Sequence, residues 1–439
     1  MPPVPDGGRV SVFLNLERHE VPRVTATVAA VEILEGENWV PISEPAITLD
    51  SETIGKGQVF LGSRVITASR YERMRLVISD AGKVDGEGRH GLPLDRGEIE
   101  IKLPDPLELA PHASEVILLN WDVDAAFQAE STQPLVFRAG SFLVAGVASN
   151  KVYVSCPDID TVYVVRADKN WVQGAIAVQG RPTYVVADAT NKKLFVLASA
   201  EATIKVYDLV SLELSEEIRI PMTRDPIYMI MAPDYLSSFI LDGMGNLVKV
   251  DVKSGQMLAR MKVGRKPVFA LYLGSQERLA VSSTLDRTLY FLDPETLDVM
   301  EKIVVSGTPN SLLEWENYLY IAETETSSVS LYDLNERKMV KSFPLGYSPS
   351  RFVSSGNNIY LTDEMDMSVT VMKGGQINAN KVISVSGVTG EMVVAEYQRL
   401  LYVGTGECDG SLAIVDLTSN RLIGKVEVGA KPLGVVVIQ

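Results

Sequence analysis

The side chains best suited to chemistry are thinly spread. All three histidines, His19, His90 and His112, fall before the repeated part of the 439-residue chain described below. Haem and copper centres need imidazole ligands. No Cys-x-x-Cys-His run is present either, so no cofactor is expected. Carboxylates are plentiful in turn-like contexts, among them Asp158, Asp160, Asp286, Asp363, Asp366 and Asp409. Each is explained by a side chain that caps local backbone donors. Asp363-Glu364-Met365-Asp366 is the one dense run; a calcium site there would need further oxygen ligands converging on it, and no other metal site is expected. A cationic pattern stands apart from these. Arg181, Lys266 and Lys431 each stand directly before a proline, and Arg224 stands two positions before Pro226. Gathered on one rim, they would receive an anionic or carboxylate-bearing ligand. A positioned base or nucleophile among them is not evident, so no catalytic residue is assigned.

Those prolines also measure the architecture. Pro182, Pro226, Pro267, Pro309 and Pro349 stand 44, 41, 42 and 40 positions apart, and Pro349 to Pro432 is 83, about two periods. Gly387-Val388-Thr389-Gly390 fills the missing position. A period of about 40 to 45 residues with four short strands is the mark of a propeller blade. Third strands are expected near Val162, Ile204, Val248, Leu289, Val329, Val369 and Ala413, most ending in an Asp that opens the next turn. That makes seven blades. Leu433 to Ile438 and Ser141 to Gly146 both qualify as innermost strand of the first blade. The C-terminal segment carries the repeat's own turn and is expected to close the ring, which removes exposed sheet edges.

Residues 9–141 show no repeat. Alternating runs at Arg9 to Leu16, Val24 to Leu34, Met74 to Ile78, Glu98 to Leu103, Glu115 to Trp121 and Leu135 to Arg138 predict a β-sandwich. Residues 1–8 read as a flexible leader, and Asp85 to Gly91 as a hairpin loop. The expected fold is thus all-β: a sandwich over 9–141 and a seven-bladed β-propeller over 148–439. Cys156 and Cys408 fall in corresponding loops of blades one and seven. They are either a disulfide clasp over the closure, suited to an oxidising compartment, or two free thiols.

The formal net charge of −15 argues against nucleic acid or an anionic membrane as partner. No apolar run approaches the ~20 residues that span a bilayer. Four tryptophans, Trp39, Trp121, Trp171 and Trp315, are too scattered for a sugar-stacking platform. Tyr228-Met229-Ile230-Met231 reads as core packing.

Gly-x-x-Pro, an apolar strand, Lys151-Val152-Tyr153-Val154-Ser155, a turn and a strand ending in Asp together resemble the Tyr-Val-Thr-Asn (YVTN) repeat β-propellers of bacterial and archaeal surface proteins. The resemblance covers about residues 148–439 and implies a secreted or surface-exposed protein. Val24 to Leu34 followed by Trp39-Val40-Pro41-Ile42, with Tyr71 to Ile78 and Leu118 to Asp124, looks like an uncharacterised sandwich domain of bacterial surface lipoproteins. A lipid-anchored or secreted precursor is therefore expected. The resulting expectation is a non-enzymatic binding or scaffolding protein, cell-surface, extracellular or periplasmic, with a protein or glycan partner. The alternative is a lactonase-like propeller hydrolase acting on a small anionic substrate at the basic rim.

Overall fold

The computed structural model describes residues 6–17, 23–54, 57–94, 96–127, 135–140, 150–376, 378–406 and 410–439. The chain is all-β and forms two compact units. The first comprises Met1–Gly146 with Tyr163–Ala177 and Val426–Gly429, and the second the remainder.

In the first unit, Gly7–Glu17 lies between Ser114–Asp122 and Gln58–Thr67, with Val136–Ala139 beyond Ser114–Asp122. The first of these pairings is parallel and the second antiparallel. A six-stranded sheet is built on Arg23–Glu35 and Arg70–Asp85. Arg23–Glu35 buries mostly alternate residues, the period-2 pattern of a strand with one face in a core. Val10, Val12 and Leu14 of one sheet share a single core with Val24, Ala26, Val28, Met74 and Leu76 of the other. Trp121 closes it, stacked on Phe137 at 5.7 Å. The strand runs read from sequence all appear. The first begins at Gly7, inside the stretch expected as leader. Asp85 to Gly91, expected as a hairpin loop, is mostly strand: Gly88–Gly91 pairs back on Arg70–Asp85, and only residues 86–87 make the turn.

The second unit repeats one design. Six four-stranded antiparallel sheets follow one another along the chain, their first strands being Pro182–Asp188, Pro226–Met231, Pro267–Leu273, Pro309–Trp315, Pro349–Ser355 and Thr389–Ala395. Proline suits this first position because the strand's opening N–H has no ladder partner to serve. The middle strands, such as Lys193–Ala198 and Thr203–Asp208, are buried almost throughout. They therefore read as continuous apolar runs, not as alternation. Fourth strands such as Leu214–Arg219 and Met257–Lys262 are exposed or alternate, and their charges blunt the sheet edge.

Within the second unit a further strand pair joins Lys151–Cys156 to Val435–Ile438. The pairing is antiparallel, with Val152 opposite Val437 and Val154 opposite Val435. Ser155 N–H donates to the Gly434 carbonyl at 2.9 Å, and Gly434 N–H to Ser155 Oγ at 2.8 Å. Ser141 to Gly146, the competing candidate for this place, lies outside the described residues. First strands touch in order, and Val435–Ile438 touches both Pro182–Asp188 and Thr389–Ala395.

The Asp that ends a third strand has a visible task. Asp208 Oδ1 accepts from Val210 and Ser211 N–H at 2.8 Å, and Asp293 Oδ1 from Glu295 and Thr296 N–H at 2.8 Å. Asp251, Asp333 and Asp416 repeat the motif. Among the described residues no helix is long and apolar enough to cross a membrane.

Candidate functional site

Each first strand of the six consecutive sheets slips its register just after its opening residue, for example between Pro182 and Tyr184, Pro226 and Tyr228, and Pro267 and Phe269. A bulge of this kind re-aims the side chain next to it. The position two after the opening residue reads Tyr184, Tyr228, Phe269, Ser311, Arg351 and Glu391; two after Pro432 comes Gly434. Five of these seven form one cluster. Tyr184 donates to Tyr228 Oη at 3.0 Å with ring centres 4.4 Å apart, and Tyr228 lies 4.8 Å from Phe269. The Arg351 guanidinium stands 5.7 Å from the Phe269 ring centre, within cation–π range.

Arg351 is the cluster's pivot. Its Nε donates to Glu391 Oε1 at 2.5 Å and its Nη1 to Asn310 Oδ1 at 3.1 Å. Its backbone N–H, released from the ladder by the bulge, donates to Thr362 Oγ1 at 2.9 Å. The two charged side chains keep 21% and 14% of their exposure, so the pair is partly hydrated. Burial alone would lower the guanidinium's pKa; Glu391 beside it more than offsets this and holds it raised. Burial raises the Tyr184 and Tyr228 phenols well above their ordinary value. Both phenols stay neutral at any physiological pH.

The residues anticipated from the sequence lie elsewhere. Arg181, Arg224, Lys266 and Lys431 are all exposed, each on the connection leading into a first strand. Arg181 faces Asp158 at 3.8 Å, and its N–H donates to Asp160 Oδ1 at 2.8 Å. Lys266 offers its carbonyl to Thr284. Arg224 lines a cavity, described below. Asp363 accepts from the N–H groups of Tyr347, Ser348 and Asp366, and Asp366 accepts from Ser368 Oγ. Both act as turn caps, and no group of three or more metal-ligating side chains occurs among the described residues. Cys156 is buried, its Sγ 3.8 Å from the Ala430 carbonyl; Cys408 lies outside the described residues.

The capping carboxylates explain the turn glycines. Glu323 accepts from Gly307 N–H and Ser306 Oγ, and a Cβ on Gly307 would stand 2.3 Å from Thr326 Oγ1 and 2.9 Å from Glu323 Oε2. A Cβ on Gly346 would come within 2.2 Å of Asp363 Oδ2. At Gly346 the left-handed φ of 74° and the Asp363 carboxylate both favour glycine, and at Gly307 the Thr326 hydroxyl and Glu323 carboxylate occupy the space of a side chain.

No protein-family model matches the sequence, and no curated protein matches it. Solved structures do. Dihydro-heme d1 dehydrogenase NirN in complex with DHE is 13% identical, with a TM-score of 0.55 over 66% of this chain and 76% of that one. A functionally unknown protein from Desulfotomaculum acetoxidans is 13% identical, with a TM-score of 0.59 over 66% and 99%. The computationally designed Ika8 protein is 12% identical, with a TM-score of 0.51 over 66% and 88%. The chain has a β-propeller-like fold. At such identities the likeness extends to the fold and no further. In this propeller-like frame the tyrosine, arginine and glutamate cluster sits on the first strands of successive sheets, whereas Arg181, Arg224, Lys266 and Lys431 sit on the loops ahead of them.

Proposed function

We propose that the chain is a non-enzymatic binding or scaffolding protein, with a β-sandwich over about residues 9–141 and a seven-bladed β-propeller over 148–439 closed by the C-terminal strand. It presents propeller and sandwich loops of YVTN-repeat type to a protein or glycan partner at the cell surface, outside the cell or in the periplasm. One observation carries the binding-module reading: Arg351 is committed to Glu391 and Asn310, so the inner cluster braces the first strands instead of offering a free electrophile or base. The repeat, from residue 148 onward, also contains no histidine, which disfavours the haem-linked chemistry for which the structural neighbour NirN is named. A lactonase-like hydrolase is the second reading, favoured by the cationic cavity beside Arg224.

Two assays on the intact chain separate these. Cross-linking in the native envelope should trap a discrete partner that is lost in the triple variant Arg181→Ala, Lys266→Ala, Lys431→Ala. A pH-stat assay over a panel of lactones should show no acid release above the uncatalysed rate. Saturable turnover abolished by Arg224→Ala would establish the hydrolase instead.

A further inference from the structure

One connection breaks the repeat. The links into the first strands at Pro182, Pro267, Pro309, Pro349 and Thr389 follow strands that end at Ala177, Lys262, Val304, Pro344 and Ser384, leaving four residues in each. Between Arg219 and Pro226 there are six, residues 220–225. This link alone among them lacks glycine. It also lacks the carboxylate cap: Asp242, at the end of the neighbouring second strand, spends its oxygens on Asn246.

The longer link overhangs a cavity of about 670 Å³ between the sheet that begins at Pro182 and the sheet that begins at Pro226, within the range of small-molecule sites. Four cations line it, Arg219 at the end of the Pro182 sheet, Arg224 on the link, and Arg260 and Lys262 on Met257–Lys262, the fourth strand of the Pro226 sheet. Glu201 is the one acidic residue of the lining, and Lys205 already holds it at 2.8 Å. Lys262 Nζ donates to the Met244 carbonyl. Among the described residues, no hydrogen bond or ion pair engages the side chains of Arg219, Arg224 or Arg260. In a chain of net charge −15, three exposed guanidiniums line one concavity, a local positive charge that favours an anion. Exposed Met222 and Met244, 67% and 57% accessible, stand on its wall.

We propose that this cavity is a binding site for a phosphate or sulfate ester, its tetrahedral oxyanion held by Arg219, Arg224 and Arg260 and its apolar part set against Met222 and Met244. Guanidinium forks suit such oxyanions because two N–H groups meet two oxygens at once. The site is independent of the scaffolding reading; it is the cavity that the hydrolase reading also uses, and binding without turnover separates the two.

The test is calorimetric titration of the full chain with inorganic pyrophosphate, a sulfated heparin-type disaccharide and citrate, at about 20 mM and about 150 mM salt. Pyrophosphate or the disaccharide should bind, whichever binds more tightly naming the source, and citrate more weakly. Arg219→Gln and Arg260→Gln, both at exposed positions, should each weaken binding roughly tenfold, while Lys253→Gln at a distant turn should not change it. Absence of binding by both pyrophosphate and the disaccharide, equal binding of citrate, or affinity unchanged in the two arginine variants would overturn the proposal.

Discussion

At the residue scale, the informative column of the repeat is the second residue after the turn proline. Tyr228 reads as core packing, and it is buried; what the sequence conceals is its hydroxyl contact with Tyr184, which lies 44 positions away. Arg351 and Glu391, 40 positions apart, are one period from each other and become partners because each follows a bulge. Aligning the periods on the column after the proline, instead of the one before it, would have found them. The predicted cations are legible as exposed loop residues, but their neighbours are not, since Asp158 and Asp160 reach Arg181 from a different sheet. Glu391→Gln should leave the Arg351 charge short of its partner and lower stability by roughly 1–3 kcal/mol, below the figure for a dry pair because water reaches both groups. Urea unfolding of variant and parent measures it. An Arg351→Met, Glu391→Leu double variant more stable than Glu391→Gln alone would show that the cost comes from the stranded charge.

At the element scale, the strands were largely readable. Their middle members are short runs of Val, Ile, Leu and Tyr, and their turns open on Asp. Parallel pairing of Gly7–Glu17 with Ser114–Asp122 was not readable, because alternation fixes which face is buried but not which strand lies alongside. The turn aspartates give a pH dependence. Backbone amides hold Asp208 and Asp293 below the usual carboxylate range, and the hydroxyls and then the amides of Ser254 and Ser419 do the same for Asp251 and Asp416. A depressed folded pKa means stability that is fully present above the unfolded value near 4 and is lost as pH falls through the lower folded value. The melting temperature should therefore drop below about pH 4, and Asp293→Asn should flatten that slope. A thermal-melt series across pH checks both, and a melting temperature as high at pH 3 as at pH 6 would contradict them.

At the scale of the whole molecule, periodicity carried the most information. Proline spacing foretold consecutive four-stranded sheets; the six-residue link at 220–225 falls within the longest step, Pro182 to Pro226, and neither it nor the cavity beneath it was read from the sequence. Residue types alone could not show that Asp242 turns to Asn246 and leaves Arg224 uncapped. The proposed ring depends on Val435–Ile438, the one strand taken from the far end of the chain to complete a sheet. Native-state hydrogen exchange of the intact chain reads that closure directly. The amides of Val435–Ile438 that bond to Lys151–Cys156 should exchange as slowly as those of Lys193–Ala198, because opening them requires opening the ring. Rapid exchange in Val435–Ile438 while Lys193–Ala198 stays protected would contradict the closed propeller.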